Sequence, residues 1–211
     1  MSAPEPLAQI AAELAACARC DLRIGARHAV PGIGDPHAEI MLIGEAPSSF
    51  DDQRGRPFSG PSGTFLDELL AVAGLERAQV YLTNIVKHRV PERREVFPGE
   101  AAACAGYLTR EIAAVRPILI VALGRAAAAR FIPRVRISQM HGQLHPAGTY
   151  LVLAMYNPAA GLHRAELRQT IVDDFARALP AALAEARRRA TAGQLGVAPP
   201  DDDAPQQMSL F

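Results

Sequence analysis

The sequence predicts an α/β fold, a three-layer α/β/α sandwich around a mostly parallel central sheet of four strands. Four largely apolar runs have the length of buried strands, and they occupy residues 40–43, 80–86, 117–123 and 150–155. Segments with helical composition separate these runs. Strands that alternate with helices are typical of parallel sheets whose two faces are both covered.

The remaining segments are assigned in chain order. An alanine-rich, amphipathic stretch at about 5–16 predicts a first helix ahead of the sheet. Further helices are expected at about 63–73, 99–115, 125–131 and 165–189. The segments 44–63, 87–98 and 158–164 are expected to be loops, because they are polar or rich in glycine and proline.

The chain is expected to consist of one domain, residues 1–190, and a disordered tail, residues 191–211. From about Thr191 glycine, proline and aspartate replace the helical pattern and cannot build a core. The tail ends in an apolar cluster beyond this polar tether, and such a cluster indicates docking into an apolar pocket of a partner. Its residues are Gln207, Met208, Ser209, Leu210 and Phe211.

Composition excludes little about partners. Lys plus Arg and Asp plus Glu each number 22, so the net charge is zero and neither supports nor excludes binding to nucleic acid. No N-terminal run is long and apolar enough for a signal peptide or a membrane span, which favours a cytoplasmic protein without a membrane partner. Three cysteines in such a chain indicate metal binding or no special role, rather than disulfides.

The segment 44–63 is the strongest candidate for a functional site. It follows a buried strand, and open α/β sheets bind ligands at the carboxyl ends of their strands. A segment this charged, glycine-rich and aromatic is poor packing material, although a purely structural strand-to-helix connection is the alternative. Its notable side chains are Glu45, Phe50, Asp51, Asp52, Arg54, Arg56 and Phe58.

The cysteines suggest a metal centre. Cys17 and Cys20 have the two-residue spacing of many metal sites, and Cys104 lies far downstream in a predicted helix. His88, directly after a predicted strand, is the best candidate for a fourth ligand. Soft thiolates select zinc or an iron–sulfur cluster, and three unrelated buried cysteines are the alternative.

Together these features resemble the family-four, iron–sulfur branch of the uracil-DNA glycosylase superfamily, over about residues 14–180. The segment 44–47, Gly-Glu-Ala-Pro, matches the first motif of that family, and 55–58, Gly-Arg-Pro-Phe, follows at the family spacing. The segment 83–87, Thr-Asn-Ile-Val-Lys, resembles its strand-end motif. The second motif, 156–162, carries Asn157 where the family usually has a histidine.

The resemblance implies a DNA repair enzyme that flips uracil out of the helix and hydrolyses its N-glycosidic bond without a lyase step. It implies catalytic roles for Glu45, Asp51 and Asn157, of which Asn157 is expected to slow excision because a neutral donor is weaker than a charged one. The implied base-binding residues are Gly44, Ala46, Phe58, Asn84 and His163. The implied DNA contacts are Arg89, Leu162 and Arg164, whereas Phe50 is expected only to pack within its loop.

The resemblance also implies cofactors and partners. Cys17, Cys20 and Cys104 fall where three cluster cysteines are expected, with His88 in place of the fourth, so we expect one [4Fe–4S] cluster, with zinc as the alternative. The last five residues resemble the pentapeptide that binds the bacterial sliding clamp. We therefore expect a cytoplasmic, nucleoid-associated monomer that binds uracil-containing DNA and the clamp. A covalent uracil-DNA binder and a catalytically weak iron–sulfur DNA-binding protein are the alternative functions.

Overall fold

A computed structural model describes residues 5–195 of the chain. They form a six-stranded sheet with helices packed on both faces, in the strand order β1-β3-β2-β4-β6-β5. The strands are β1 (Ile33–Gly34), β2 (Ile40–Gly44), β3 (Val80–Asn84), β4 (Leu119–Leu123), β5 (Gln143–Ala147) and β6 (Tyr150–Met155). The predicted fold class is confirmed.

Nine α-helices accompany the sheet within the described residues. They are α1 (Glu5–Ala15), α2 (Ser49–Arg54), α3 (Pro61–Val72), α4 (Pro98–Val115), α5 (Arg125–Ala129), α6 (Ile137–Met140), α7 (Pro158–His163), α8 (Ala165–Asp173) and α9 (Leu179–Thr191). A π-helical turn at Asp174–Ala178 joins α8 to α9. None of these helices is long and apolar enough to cross a bilayer.

The prediction of four strands is too low, since the sheet has six. The four predicted runs form the parallel centre of the sheet, β3-β2-β4-β6. Two edge strands were missed, and each pairs antiparallel with its neighbour, β1 with β3 and β5 with β6. β1 has only two residues and β5 has no fully buried residue, so neither carries the apolar run that marks a buried strand.

The central strands are apolar throughout because both faces of the sheet are buried. Alternate residues of β2 enter different cores. Met41 and Ile43 pack in the core that contains α1 and α4, whereas Ile40 and Leu42 pack in the core that contains α3 and α9. The two cores fix the sheet, and with it the strand ends at which the candidate site lies.

Two predicted loops contain helices, and one predicted helix is interrupted. The segment 44–63 includes α2, which Ser48 caps through a reciprocal hydrogen-bond pair with Asp51. The segment 158–164 begins with α7, which starts at Pro158 and is capped by Asn157. The helix expected at 165–189 is α8 and α9 on either side of the π-helical turn.

A buried ion pair joins three parts of the fold behind the sheet edge. Lys87 is fully buried, and its Nζ donates to Glu111 Oε2 and Thr83 Oγ1, each at 2.6 Å, and to the Asn84 carbonyl at 2.9 Å. The other oxygen of Glu111 accepts from the Gly32 amide at 2.9 Å. This network therefore ties the end of β3 to α4 and to the segment before β1.

Lys87→Met is expected to lower the free energy of unfolding by about 3–5 kcal/mol, because it leaves the Glu111 carboxylate buried without a cation. The measurement is urea unfolding followed by circular dichroism. Adding Glu111→Leu to Lys87→Met should restore part of the loss, since no unpaired charge then remains.

Arg187→Ala is the control for Lys87→Met, because it removes an exposed ion pair with Glu39 and should cost less than about 1 kcal/mol. If Lys87→Met lowers the free energy of unfolding by no more than Arg187→Ala does, the buried network does not make the proposed contribution to stability.

Candidate active site

The ends of two neighbouring strands form the floor of the site. Gly44 ends β2 and Asn84 ends β3, and the two residues are paired in the parallel register. A β-carbon on Gly44 would lie 2.4 Å from Asn84 Oδ1 and 2.9 Å from Phe58 Cζ. Only glycine allows this approach, so the structure brings together three residues that the sequence assigned to base binding.

Phe58 is held in an uncommon backbone conformation. Its φ is +52°, a left-handed value that costs a non-glycine residue about 1–3 kcal/mol. Arg77 Nη2 donates to the carbonyls of Pro57 and Phe58 at 3.0 and 2.9 Å. A β-carbon on Gly63 would lie 1.8 Å from the Phe58 carbonyl oxygen. These contacts stabilise the strained backbone and direct the Phe58 ring towards Gly44.

The Asn84 side chain is buried but lacks a partner. The residue is 3% exposed, and its side-chain amide makes no hydrogen bond to another group of residues 5–195. The fully enclosed side-chain atoms without a partner in these residues are His88 Nδ1 and His145 Nε2, so the Asn84 amide still reaches solvent. The Asn84 carbonyl, in contrast, is held by Lys87. An anchored backbone and an open amide suit recognition of a ligand edge that offers both a donor and an acceptor.

Glu45 places a carboxylate directly after this floor. Its main chain is fixed because the Val86 amide donates to the Glu45 carbonyl at 3.2 Å. Burial raises the pKa of Glu45, and the backbone N–H of Val96 partly offsets this by donating to the carboxylate. The nearby Glu95 carboxylate raises the pKa further, and Arg125 lowers it. Ala46 follows and packs against the core of α1 and α4.

Asp51 lies in the hydrogen bonds of its own loop. It is buried, and its two oxygens accept from the Ser48 amide at 2.8 Å and the Ser59 amide at 2.6 Å. These bonds attach α2 to the segment that follows Phe58. Asp51 therefore positions the loop around the pocket, and its catalytic role stays a prediction.

Asp52 has a structural role, with partners that lie outside its own loop. This buried carboxylate accepts from the backbone amides of Arg27 and His28 at 2.8 and 3.3 Å, and Arg89 Nε lies 3.6 Å away. His28 Nδ1 also contacts the Asp52 carbonyl at 2.6 Å. Asp52 thus ties α2 to the segment after the first two cysteines. The motif position of the adjacent acids could have suggested a structural carboxylate, but not its distant partners.

The second-motif residues lie on α7. Asn157 Oδ1 accepts from the Ala159 amide at 3.0 Å, and its Nδ2 is 3.4 Å from the Leu123 carbonyl. The acceptor of Asn157 is therefore engaged in capping, and only its NH₂ group can donate to a ligand. His163, Leu162 and Arg164 are exposed at the other end of α7.

The four predicted metal ligands are largely buried. Cys17, Cys104 and His88 are buried and Cys20 is half-buried. Burial raises the pKa of the Cys104 thiol to about 11, and the neighbouring Lys87 partly offsets this rise. His88 Nδ1 is buried without a hydrogen-bond partner, as expected of a ligand nitrogen. Within residues 5–195 no three His, Cys, Asp or Glu side chains are close enough to hold a single metal ion.

The chain matches the family model of the uracil DNA glycosylase superfamily over residues 31–179. It belongs to the uracil-DNA glycosylase superfamily. The matched range includes the pocket residues, His88, Cys104 and α7, whereas Cys17 and Cys20 precede it. The resemblance found in the sequence motifs is confirmed.

Relatives from three microorganisms share most of the length of this superfamily member. A type-4 uracil-DNA glycosylase of Archaeoglobus fulgidus is 40% identical over 181 residues, which cover 81% of this chain and 90% of the relative. The type-4 enzyme of Saccharolobus solfataricus is 38% identical over 79% of this chain and 82% of its own length. That of Thermotoga maritima is 34% identical over 82% and 94%.

Gly44→Ala is expected to lower kcat/KM for uracil release by about a hundredfold, because the added methyl group displaces Asn84 or Phe58 by an ångström or more. The measurement is single-turnover release from a uracil-containing oligonucleotide, with circular dichroism to show that the variant is folded.

Gly106→Ala is the matched control for Gly44→Ala. A β-carbon on Gly106 meets nothing within 4 Å, so this variant should keep wild-type activity. Activity of Gly44→Ala within threefold of wild type would show that the three residues do not form the base pocket.

Proposed function

We propose that this chain is a monofunctional uracil-DNA glycosylase whose base pocket is formed by Gly44, Phe58 and Asn84, with Glu45 at its edge. The observation that carries the proposal is the convergence of the Phe58 ring and the unpartnered Asn84 amide over Gly44. The names of the type-4 relatives support the same activity.

The pocket supplies the contacts that a flipped uracil requires. The Phe58 ring offers an aromatic face on which the base stacks, and the Asn84 amide offers a donor and an acceptor to the base edge. The bare backbone of Gly44 lets the base lie close to the strand end. Ala46 lies two residues further along, and a contact between the base and His163, which ends α7, is part of the proposal.

Hydrolysis forms a bond between water oxygen and C1′ and breaks the bond between C1′ and the base nitrogen. Uracil leaves with the electron pair of that bond, and the sugar passes through a cationic, oxocarbenium-like state. The Glu45 carboxylate stabilises this positive charge and orients the attacking water, from which it accepts a proton. Asp51 holds the loop in place, and Asn157 Nδ2 donates to the negative charge that develops on uracil O2.

The absence of a lyase step follows from the state of Lys87. It is the only lysine of the chain, and its Nζ is enclosed in the buried network with Glu111 and Thr83. That amine is therefore not available to form a Schiff base with the sugar.

DNA contacts are proposed for exposed residues at the rim. Leu162 is 40% exposed on α7 and enters the space left by the flipped base, as apolar wedges do in other DNA-bending proteins. Arg164 is exposed two residues after Leu162, and Arg89 Nε lies 3.6 Å from the carboxylate of Asp52 in α2. Both arginines are proposed to contact phosphates.

The rate of uracil release is expected to fall as the pH drops, with a midpoint above the ordinary carboxyl value of 4.5, because the active Glu45 is ionised and burial raises its pKa. Glu95→Gln should move this midpoint to lower pH, since it removes a neighbouring negative charge. Glu45→Gln should slow release by about 10²- to 10⁴-fold and abolish the acidic limb.

The measurement is single-turnover release between pH 4 and 9, with gel analysis for a protein–DNA adduct. Glu185→Gln, on the distant helix α9, is the control and should leave the profile unchanged. An acidic limb that persists in Glu45→Gln would remove Glu45 from the mechanism.

One observation favours a catalytically weak DNA-binding protein as the second candidate function. The acceptor of Asn157 is engaged in capping α7, and a neutral amide replaces the charged donor usual at this position. Binding of the uracil oligonucleotide without release of base, together with unchanged release in Glu45→Gln, would favour this alternative. An adduct that resists denaturation would favour the covalent binder.

A [4Fe–4S] cluster is proposed as the cofactor, held by Cys17, Cys20, Cys104 and His88. The buried, partnerless His88 Nδ1 supports it, and a cluster holds its ligands farther apart than a single zinc ion, whose ligands lie within about 2.3 Å of the metal. The cluster would link the segment after α1 to α4 and to the turn beyond β3, away from the base pocket.

Anaerobically purified protein is expected to be brown and to contain about four irons per chain. His88→Cys should keep the iron, because it completes an all-cysteine set, whereas His88→Ala should lose most of it. One zinc and no iron in a colourless protein would establish the zinc alternative.

The clamp-binding segment, residues 207–211, lies outside the described residues and stays a proposal from its sequence. Tethering to the clamp would raise the effective concentration of the enzyme at newly copied DNA. A labelled peptide of residues 201–211 should bind a bacterial sliding clamp with a Kd below about 100 μM. Binding that is unchanged when Leu210 and Phe211 are both replaced by alanine would refute it.

A further inference from the structure

A groove of about 420 Å³ opens beside the base pocket. Ser59 and Gly60 line it, and they directly follow Phe58 in the chain. The residues that line the groove do not include Phe58 itself, Gly44 or Asn84. The groove is therefore a separate space that adjoins the pocket through the 58–60 segment.

Two exposed apolar side chains from distant parts of the chain line this groove. Phe50 belongs to α2 and is 43% exposed, and Leu162 belongs to α7 and is 40% exposed. Phe50 packs against Gly60 of its own loop, as expected, and it also lines the groove. Exposed apolar residues that share a concave surface mark a binding site more often than isolated ones do.

Phe50 is fixed in place as a platform. A β-carbon on Gly60 would lie 2.6 Å from Phe50 Cδ2 and 2.8 Å from Cγ, so the ring rests on the Gly60 backbone. The Asp51 carboxylate accepts from the Ser59 amide and so joins α2 to the segment of Gly60, which holds the Phe50 ring against Gly60. Because the contact with Gly60 still leaves the side chain 43% exposed, a second planar group has room to stack on the ring.

The rim of the groove carries two arginines, of which Arg168 is paired with Glu68 and Arg54 has no carboxylate partner within residues 5–195. Arg54 donates to the Ser59 carbonyl. Arg168 lies over the Phe65 ring at 4.1 Å and contacts Glu68 at 3.3 Å, and all three of these residues line the groove. An aromatic platform beside arginine is the combination with which proteins bind unpaired nucleotides.

We propose that this groove holds one unpaired nucleotide next to the flipped uracil, with its base stacked on Phe50. The proposal rests on the glycosylase function. Leu162, as the wedge, separates this base from the gap, and Arg54, which has no carboxylate partner in the described part of the chain, attracts the adjoining phosphate. Phe50 thereby favours lesions whose neighbouring base is free to leave the stack, which is a property of single strands and opened duplexes.

The test is equilibrium binding of the full-length protein to single-stranded oligonucleotides, measured by fluorescence anisotropy. The oligonucleotides carry 2′-fluoroarabino-uridine, whose glycosidic bond resists hydrolysis. One set has normal bases beside the uridine, and the other has an abasic residue on each side of it. The proteins are wild type, Phe50→Ala, Phe50→Leu, Phe50→Tyr and Val72→Ala, the last an exposed apolar control at the far end of α3.

Phe50→Ala is expected to raise Kd between about fivefold and a hundredfold on the normal set and less than twofold on the abasic set. Phe50→Tyr should match wild type within threefold, and Phe50→Leu should behave like Phe50→Ala, because leucine is apolar but lacks a ring. An equal effect of Phe50→Ala on both sets, or full binding by Phe50→Leu, would overturn the proposal.

Failure of the glycosylase function would give a different result. In that case wild-type protein would release no base from an ordinary uracil oligonucleotide. The comparison of Kd values between the normal and abasic sets does not depend on catalysis and could still be made. Kd values that discriminate the two sets would then still support a nucleotide in the groove, and equal values would still refute it.

Discussion

The ion pair between Lys87 and Glu111 is the interaction on which the arrangement of the site depends. An ammonium and a carboxylate taken out of water are costly unless each is fully bonded, and here each has partners in more than one element. The hydrogen bond from Lys87 to the Asn84 carbonyl fixes the backbone orientation of Asn84, the last residue of β3. His88 follows in the next position, so the same network fixes both the pocket amide and a proposed cluster ligand.

Buried carboxylates also shape the loop around the pocket, and they do so by binding main-chain amides. Asp51 joins α2 to Ser59, and Asp52 joins α2 to Arg27 and His28. A loop held in this way can keep Phe58 at a positive φ, because the bonds on either side of it resist relaxation. In the proposed base pocket, rigid placement of the ring would lower the entropy lost on binding.

The centre of the fold could be read from the sequence, because a strand buried on both faces must be apolar at every position. The shared role of Gly44 and Asn84 was implied by the family resemblance, and the register of the two parallel strands places both residues at one edge of the sheet. The edge strands, Asp52 and Phe50 could not be read in this way. β5 has no fully buried residue and contains Pro146, and the contacts of Asp52 and the groove around Phe50 join residues that are far apart in the chain. The helix α2 could have been predicted from the sequence, because Ser48 and Asp51 have the spacing of a capping box.

The burial of the single lysine has a consequence for how the surface responds to modification and pH. Every exposed basic side chain of the described residues, histidine apart, is an arginine, which stays protonated throughout the physiological range and binds phosphate through two parallel donors. Enzymatic acetylation of lysine would find no accessible ε-amine on this surface. Lysine acetylation therefore cannot weaken the electrostatic attraction of this surface for a nucleic acid backbone.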